Sequence, residues 1–309
     1  MLHPNHLIIA TRSSLLAIKQ AEQVKNIICS LYPNCTTEIS SMKTRGDRIL
    51  DRSISQIGGK GLFVKELELA LIDGRADLAV HSLKDVPLNL EAPLEICSIL
   101  KRGDPRDAFI SNNYESLRDM PSGSIVGTSS LRRESQLRAR YPSLIVKPLR
   151  GNIETRLRKL DNGVFSGIIL AAIGLKRIGL ENRICEFLET SDFLPSPGQG
   201  ALGIEIDTRR SDIKSCLAPL SCKSTTACLK AERSVSRALS GSCQIPLAAY
   251  AQIHPDNKLL LQALVSSPDG KNFIYGKQIG SITDADIMGK NMAKYLLDQG
   301  ANLILKKFS

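Results

Sequence analysis

A short apolar stretch that ends in hydroxyl-bearing residues and turns straight into a helix occurs twice, at Ile9-Ala-Thr-Arg-Ser-Ser14 and at Val126-Gly-Thr-Ser-Ser130. This recurrence constrains the fold more than any other feature. The segment after each reads as a helix, amphipathic in the first case. The first round predicts a strand over 6–10, a helix over 15–31 and a strand near 36–42. A helix over 61–73 comes next, with Leu62, Phe63, Leu67, Ala70 and Leu71 on one face, then a buried strand over 78–80 that runs into His81-Ser-Leu-Lys-Asp-Val-Pro87. The second round predicts strands over 124–127, 144–148 and 167–172, with helices over 131–140 and 153–160 and a turn at Arg150-Gly-Asn152. Strand–helix alternation of this kind predicts two related α/β halves. Ligands bind such sheets at the carboxyl ends of the strands, where helix N-terminal amides suit a carboxylate or phosphate.

At 309 residues the chain is longer than one core usually fills. Lys101-Arg-Gly-Asp-Pro105 and Phe193-Leu-Pro-Ser-Pro-Gly-Gln-Gly200 read as crossings between the halves, the second rich in Pro and Gly as linkers often are. A strand over 201–206 then returns to the first half. Beyond it lie a helix over 226–240, a small-residue loop with Cys243, strands over 248–253 and 258–265, and a closing helix over 284–299. The expected organisation is an α/β domain over 1–100 and 200–217, a second over 105–193, and a smaller α+β domain over 218–309.

Hydrophobic residues at 42% and charged residues at 23% are ordinary for a soluble globular protein. No apolar run approaches the ~18 residues of a membrane span, and the start Met-Leu-His-Pro-Asn-His does not read as a signal peptide; a cytoplasmic protein without membrane partners is expected. The net charge of +10 points to an anionic partner, nucleic acid or a small polyanion. Its densest source is 132–159, where nine basic residues (Arg132, Arg133, Arg138, Arg140, Lys147, Arg150, Arg156, Arg158, Lys159) face only Glu134 and Glu154. A solvated helix face accounts equally well for any single one of them. Absence of Trp and an aromatic content of 4% argue against base-stacking platforms. The eight cysteines form no C-x-x-C pair and the four histidines are scattered, so no metal site is expected.

Several motifs are decoys. Gly58-Gly-Lys-Gly61 lacks the Gly-Lys-Ser/Thr order of a phosphate-binding loop, and the two Arg-Gly-Asp triplets, at 45–47 and 102–104, are attributed to chance. His81 could act as a base, although a structural histidine is the stronger reading. Lys84 and Asp85 lie just past a strand's carboxyl end, where a carboxylate could move protons or stabilise a cation; the bland alternative is an Asp that caps the chain ahead of Pro87. On local evidence Cys243 could be structural, a metal ligand, a nucleophile or an attachment point.

Taken together, Ala10-Thr-Arg-Ser-Ser14, Lys43-Thr-Arg-Gly-Asp47, Gly58-Gly-Lys-Gly-Leu-Phe-Val-Lys-Glu-Leu67 and Val80-His-Ser-Leu-Lys-Asp-Val-Pro87 resemble the porphobilinogen deaminase family. So do Arg102-Gly-Asp-Pro-Arg-Asp107, Gly127-Thr-Ser-Ser-Leu-Arg-Arg133, Leu149-Arg-Gly-Asn-Ile-Glu-Thr-Arg156, Pro197-Gly-Gln-Gly200 and Gly241-Ser-Cys-Gln-Ile-Pro246. The resemblance covers about 7–250 and is loose after Tyr250. It implies two periplasmic-binding-protein-like α/β domains with the active cleft between them, and a smaller third domain. It also implies a monomer that condenses four porphobilinogens head-to-tail, losing ammonia each time, on a dipyrromethane cofactor joined to Cys243 by a thioether. Hydrolysis then releases hydroxymethylbilane.

Each pyrrole of that growing polypyrrole carries an acetate and a propionate, which gives the basic run a better partner than nucleic acid. By resemblance, Ser13, Lys84, Asp85, Thr128, Ser129, Arg132, Arg133 and Gly151 bind the cofactor, and Arg12, Arg150, Arg156, Arg177 and Gln199 bind substrate. Arginine's planar fork suits paired hydrogen bonds to carboxylates. Asp85 is the catalytic residue by the same resemblance, and Lys60 and Phe63 belong to a mobile loop. Two positions depart from the family pattern: Gln56 stands where some relatives carry lysine, and Ser242 replaces a common glycine. The competing reading is a non-catalytic small-anion-binding protein of the solute-binding fold.

Overall fold

The computed structural model describes residues 4–48, 64–239 and 245–306. The chain forms two compact units, one from Met1–Arg102 and Ala201–Thr226, the other from Gly103–Gly200 and Ala227–Ser309. No described helix is long and apolar enough to cross a membrane.

In the first unit, β1 (His6–Arg12), β2 (Thr36–Met42), β3 (Leu78–Ser82), β4 (Leu94–Ile99) and β10 (Leu202–Asp207) form one sheet in the order β2-β1-β3-β10-β4. The strand β1 is parallel to β2 and β3, whereas β10 runs antiparallel to β3 and β4. Helix α1 (Leu15–Leu31) buries Ala17, Gln20, Ala21, Val24 and Ile28, one face at helical spacing, against the apolar side chains of this sheet. Two shorter helices, α2 (Arg45–Arg48) and α3 (Lys65–Ile72), precede β3, and α3 buries Leu67, Ala70 and Leu71.

The second unit repeats the plan. Here β5 (Asp107–Ile110), β6 (Ile125–Gly127), β7 (Ile145–Lys147), β8 (Gly167–Ala171) and β9 (Glu186–Leu188) stand in the order β7-β6-β8-β5-β9. Again three strands are parallel, β6 with β7 and β8, and β5 is antiparallel to both its neighbours. Position by position the two sheets match, which bears out the pair of α/β halves inferred from the repeated hydroxyl-rich turns. The helices are α4 (Leu131–Arg140), α5 (Ile153–Asp161) and α6 (Ala172–Arg177). Residue 172, read from the sequence as the end of a strand, is instead the first residue of α6, which continues from β8 without a capping side chain.

After β10 come α7 (Ser211–Leu217) and α8 (Lys223–Ala238). A three-stranded antiparallel sheet, β11 (Leu247–Ile253), β12 (Leu259–Ser266) and β13 (Phe273–Gly280), packs one face on α8 and on α9 (Ala285–Leu296) around Val235, Leu261, Val265 and Met292. Ala248, Tyr250 and Leu264 of this sheet pack with Leu194, and the Ser266 hydroxyl meets that of Ser135 on α4 at 2.6 Å. The C-terminal sheet and the second α/β sheet therefore share one unit. Helical structure past α9 bends at Gly300, whose φ of 99° only glycine adopts readily, and closes with α10 (Asn302–Leu305).

Candidate active site

In the first unit the candidate residues gather on the loops that leave β1 and β3. Ser14 caps α1 by accepting from the Ala17 amide at 3.3 Å, and Thr11 donates to the Ala17 carbonyl at 3.0 Å. No acidic side chain occupies the first turn of α1, so its positive end is not neutralised from within the helix. Arg12 leaves β1 half-buried and forms an ion pair with Asp47. Asp47 in turn accepts from the Thr44 amide at 3.1 Å and hydroxyl at 2.8 Å. Burial opposes ionisation of Asp47, but the bonds from Arg12 outweigh it and hold the carboxyl below its ordinary range.

The loop after β3 has a different construction. Leu83 and Val86 are buried, anchoring the turn on either side of Lys84 and Asp85. Room for Leu83 comes from Gly203 on β10, where an added Cβ would lie 2.6 Å from a Leu83 methyl. The Gln20 amide reaches the Ser82 hydroxyl at 2.8 Å and ties α1 to the strand end. Asp85 is exposed and has no ion-pair partner among the described residues. His81, by contrast, is buried with its Nε2 2.8 Å from Oε2 of Glu205, a close contact whose geometry is not that of a linear hydrogen bond. The fold thus gives His81 a structural carboxylate partner and leaves Asp85 facing solvent.

In the second unit Thr128 is buried and its hydroxyl accepts from the Ser130 amide at 3.2 Å. The exposed Ser129 donates to the Leu149 carbonyl at 2.9 Å, and Ser130 caps α4. The equivalent loop at Arg150 and Gly151 leads into α5, capped by Asn152. Gly151 has φ 110°, and a Cβ there would strike the Thr155 side chain at 2.7 Å, so the position requires glycine twice over. Arg156 reaches back to donate to the Gly151 carbonyl at 2.8 Å.

Arg132 and Arg133, from the first turn of α4, are only 4% and 6% exposed. Both converge on the fully buried Asp107 at the start of β5. Arg133 donates through Nε at 3.0 Å and Nη2 at 2.7 Å to one oxygen, and Arg132 donates through Nη1 at 2.7 Å to the other. The Gln199 amide joins the first oxygen at 3.0 Å. Burial alone would raise the Asp107 carboxyl, but the two guanidiniums overcome this and hold it far below the ordinary carboxylate range. Arg132 also donates to the Leu194 carbonyl at 3.0 Å and lies over the Phe193 ring, 5.9 Å from its centroid. Its Nε is buried without a hydrogen-bond partner among the described residues.

Arg177, at the end of α6, donates to the Gly200 carbonyl at 3.2 Å, and its Nε too is buried without a partner among the described residues. Burial pushes this guanidinium down to about 10, with no ion-pair partner among the described residues to offset it. Buried and half-buried cations with unused donors suit a ligand carrying several carboxylates, because each incoming carboxylate compensates a donor the protein leaves unmet. The donor set fits a pyrrole-based polycarboxylate such as dipyrromethane.

Sequence reasoning missed Asp47, Asp107 and Glu205, the carboxylates that hold Arg12, the Arg132–Arg133 pair and His81. Asp47 and Asp107 are the last residues of two motifs that stand out for other reasons, and Glu205 is an acid flanked by isoleucines inside a buried strand, a pattern that calls for a buried partner. Cys243, Lys60 and Phe63, like Gln56 and Ser242, lie outside the described residues.

Two family models match the chain. "Porphobilinogen deaminase, dipyromethane cofactor binding domain" covers residues 7–215, and "Porphobilinogen deaminase, C-terminal domain" covers 226–298. Curated relatives named Porphobilinogen deaminase include that of Bordetella parapertussis, 59% identical over 299 residues, with 97% of this chain and 95% of the relative covered. That of Paraburkholderia phymatum is 55% identical, covering 99% and 94%, and that of Neisseria meningitidis serogroup A is 53% identical, covering 98% and 97%. Among solved structures, the methionine binding protein MetQ aligns with a TM-score of 0.45 at 14% identity, covering 70% of this chain and 90% of that one.

Proposed function

The chain belongs to the porphobilinogen deaminase family, and on that footing we propose how its residues divide the work. The enzyme is a transferase that condenses four porphobilinogens head-to-tail on a covalently bound dipyrromethane, releases ammonia at each addition and liberates hydroxymethylbilane by hydrolysis. When bound, the cofactor supplies the pyrrole carbon to which the first substrate unit is joined. The thioether is assigned to Cys243; a thiolate formed once suffices, and a thioether outlasts every turnover.

Asp85 is assigned the proton chemistry. As a substrate loses ammonia, positive charge develops on its pyrrole; a carboxylate that accepts the pyrrole N–H stabilises that charge and can take up the proton released as each C–C bond forms. The observation that carries this assignment is the exposed carboxylate, without an ion-pair partner among the described residues, held at a strand's carboxyl end by the buried Leu83 and Val86. Ser13, Lys84, Thr128, Ser129, Arg132, Arg133 and Gly151 hold the cofactor's carboxylates and N–H groups. Arg12, Arg150, Arg156, Arg177 and Gln199 hold the substrate's, and Lys60 and Phe63 contribute from a loop over it. Support for the cationic set comes from the unmet donors of Arg132 and Arg177. A three-domain division with boundaries near 100, 200 and 218, a monomeric state and a cytoplasmic location complete the proposal.

Asp85→Asn keeps the shape of the site and removes the base. Turnover, measured by absorbance of the oxidised porphyrin product, is expected to fall at least ~100-fold, the scale of lost acid–base catalysis. Near-normal turnover in this variant would remove Asp85 from the catalytic role.

A further inference from the structure

We propose that Asp107 is a positioning residue for cofactor binding, aiming Arg132 and Arg133 at the carboxylates of dipyrromethane. This rests on the reading of Arg132 and Arg133 as cofactor-binding residues. Asp107 has the placement such a role needs. It begins β5, which is hydrogen-bonded to β8 on one side and β9 on the other, so its backbone is fixed from both flanks. Its carboxylate is fully buried and accepts from three side chains, on α4 (Arg132 and Arg133) and on the turn after Pro197 (Gln199). Gln199 is bonded further to the Pro105 carbonyl at 2.8 Å.

Charge makes the same point. Two guanidiniums and one carboxylate leave the buried cluster with a net positive charge, and no second carboxylate pairs with either arginine among the described residues. A buried charge without a partner is costly. One incoming carboxylate balances the cluster, and the unpartnered Nε of Arg132 supplies a donor for it. Asp107 determines which edge of Arg132 is used internally and which is left over. Its purpose is then to hold the fork in one orientation, in addition to neutralising half of the cluster's positive charge.

The test compares wild type with Asp107→Asn, Asp107→Glu and Ile110→Ala. Ile110 is buried three residues along the same strand, in an apolar cluster with Leu149, Leu157 and Ile168, so its truncation controls for lost stability. Two readouts are taken on folded protein well below its melting temperature: the fraction carrying the two-pyrrole mass addition, and KM and kcat separately. Asp107→Asn is expected to reduce the loaded fraction about tenfold or more, the scale on which ligand-orienting partners act elsewhere. Asp107→Glu, which keeps the charge but moves it by one methylene, is expected to load several-fold less than wild type and to raise KM more than it lowers kcat. Ile110→Ala is expected to melt lower and load fully. If Asp107→Asn does not fold, Asp107→Glu decides by the same criteria. Wild-type loading and KM in folded Asp107 variants, or equal loss in Ile110→Ala, would overturn the proposal. A wild-type enzyme without the mass addition would instead overturn the cofactor reading beneath it.

Discussion

His81 and Asp85 lie four residues apart, yet one is buried against Glu205 and the other is exposed. A sequence shows both as titratable groups near a strand end. Only the antiparallel return of β10, which pairs Gly203 with His81 and sets Glu205 two residues further along, separates the structural role from the available one. Cys222 poses a similar question among the thiols. Ser224 and then Thr225 hydrogen-bond its sulfur, bringing it down to about 7, whereas burial pushes Cys97 up to about 11. The thiolate is the reactive form, and a lowered pKa means that it accumulates at lower pH. Iodoacetamide labelling of Cys222, read by peptide mass mapping, is therefore expected to reach half its maximal rate near pH 7, with Cys97 unreactive there. Equal rates for the two at pH 7 would contradict this ordering. The candidate cations were legible one by one in the sequence. Their carboxylate partners were not, because Asp47 and Asp107 meet them only through long-range contacts that no local pattern encodes.

At the level of elements, legibility tracks length and capping. Helices α1, α4 and α5 begin at Ser14, Ser130 and Asn152, whose side chains bond the first-turn amides, and in α1 and α5 the apolar positions repeat at helical spacing. The four-residue β5 and three-residue β9 are too short to show a period and are defined by their partners. Helix α8 shows how one element supports the candidate site from a distance. Its fully buried Glu232 accepts from the Gly198 amide and the Ala251 amide, each at 2.8 Å, joining the turn that bears Gln199 to β11. Truncating it strands two buried donors at about 1–3 kcal/mol each. Glu232→Ala is therefore expected to lower the melting temperature by several degrees or more, a shift that calorimetry would detect; an unchanged Tm would mean that both amides find other acceptors.

Across the whole molecule, a net charge of +10 without Trp fits an enzyme whose substrate, cofactor and product are all polycarboxylates better than one that reads nucleic acid. Two sheets of one topology, with a smaller α+β part after them, are what the repeated hydroxyl-rich turns and the late alternating strands foretold. The stretch 240–244 that carries Cys243 follows α8 after one intervening residue, Leu239, and the residue on which the cofactor assignment turns is best tested by chemistry. The most direct measurement is the intact mass of the purified active enzyme and of Cys243→Ser. The account predicts that wild type carries an addition equal to two linked pyrroles and that Cys243→Ser lacks it and forms no hydroxymethylbilane from porphobilinogen. An unmodified mass in active wild-type enzyme, or the same addition retained in Cys243→Ser, would contradict it.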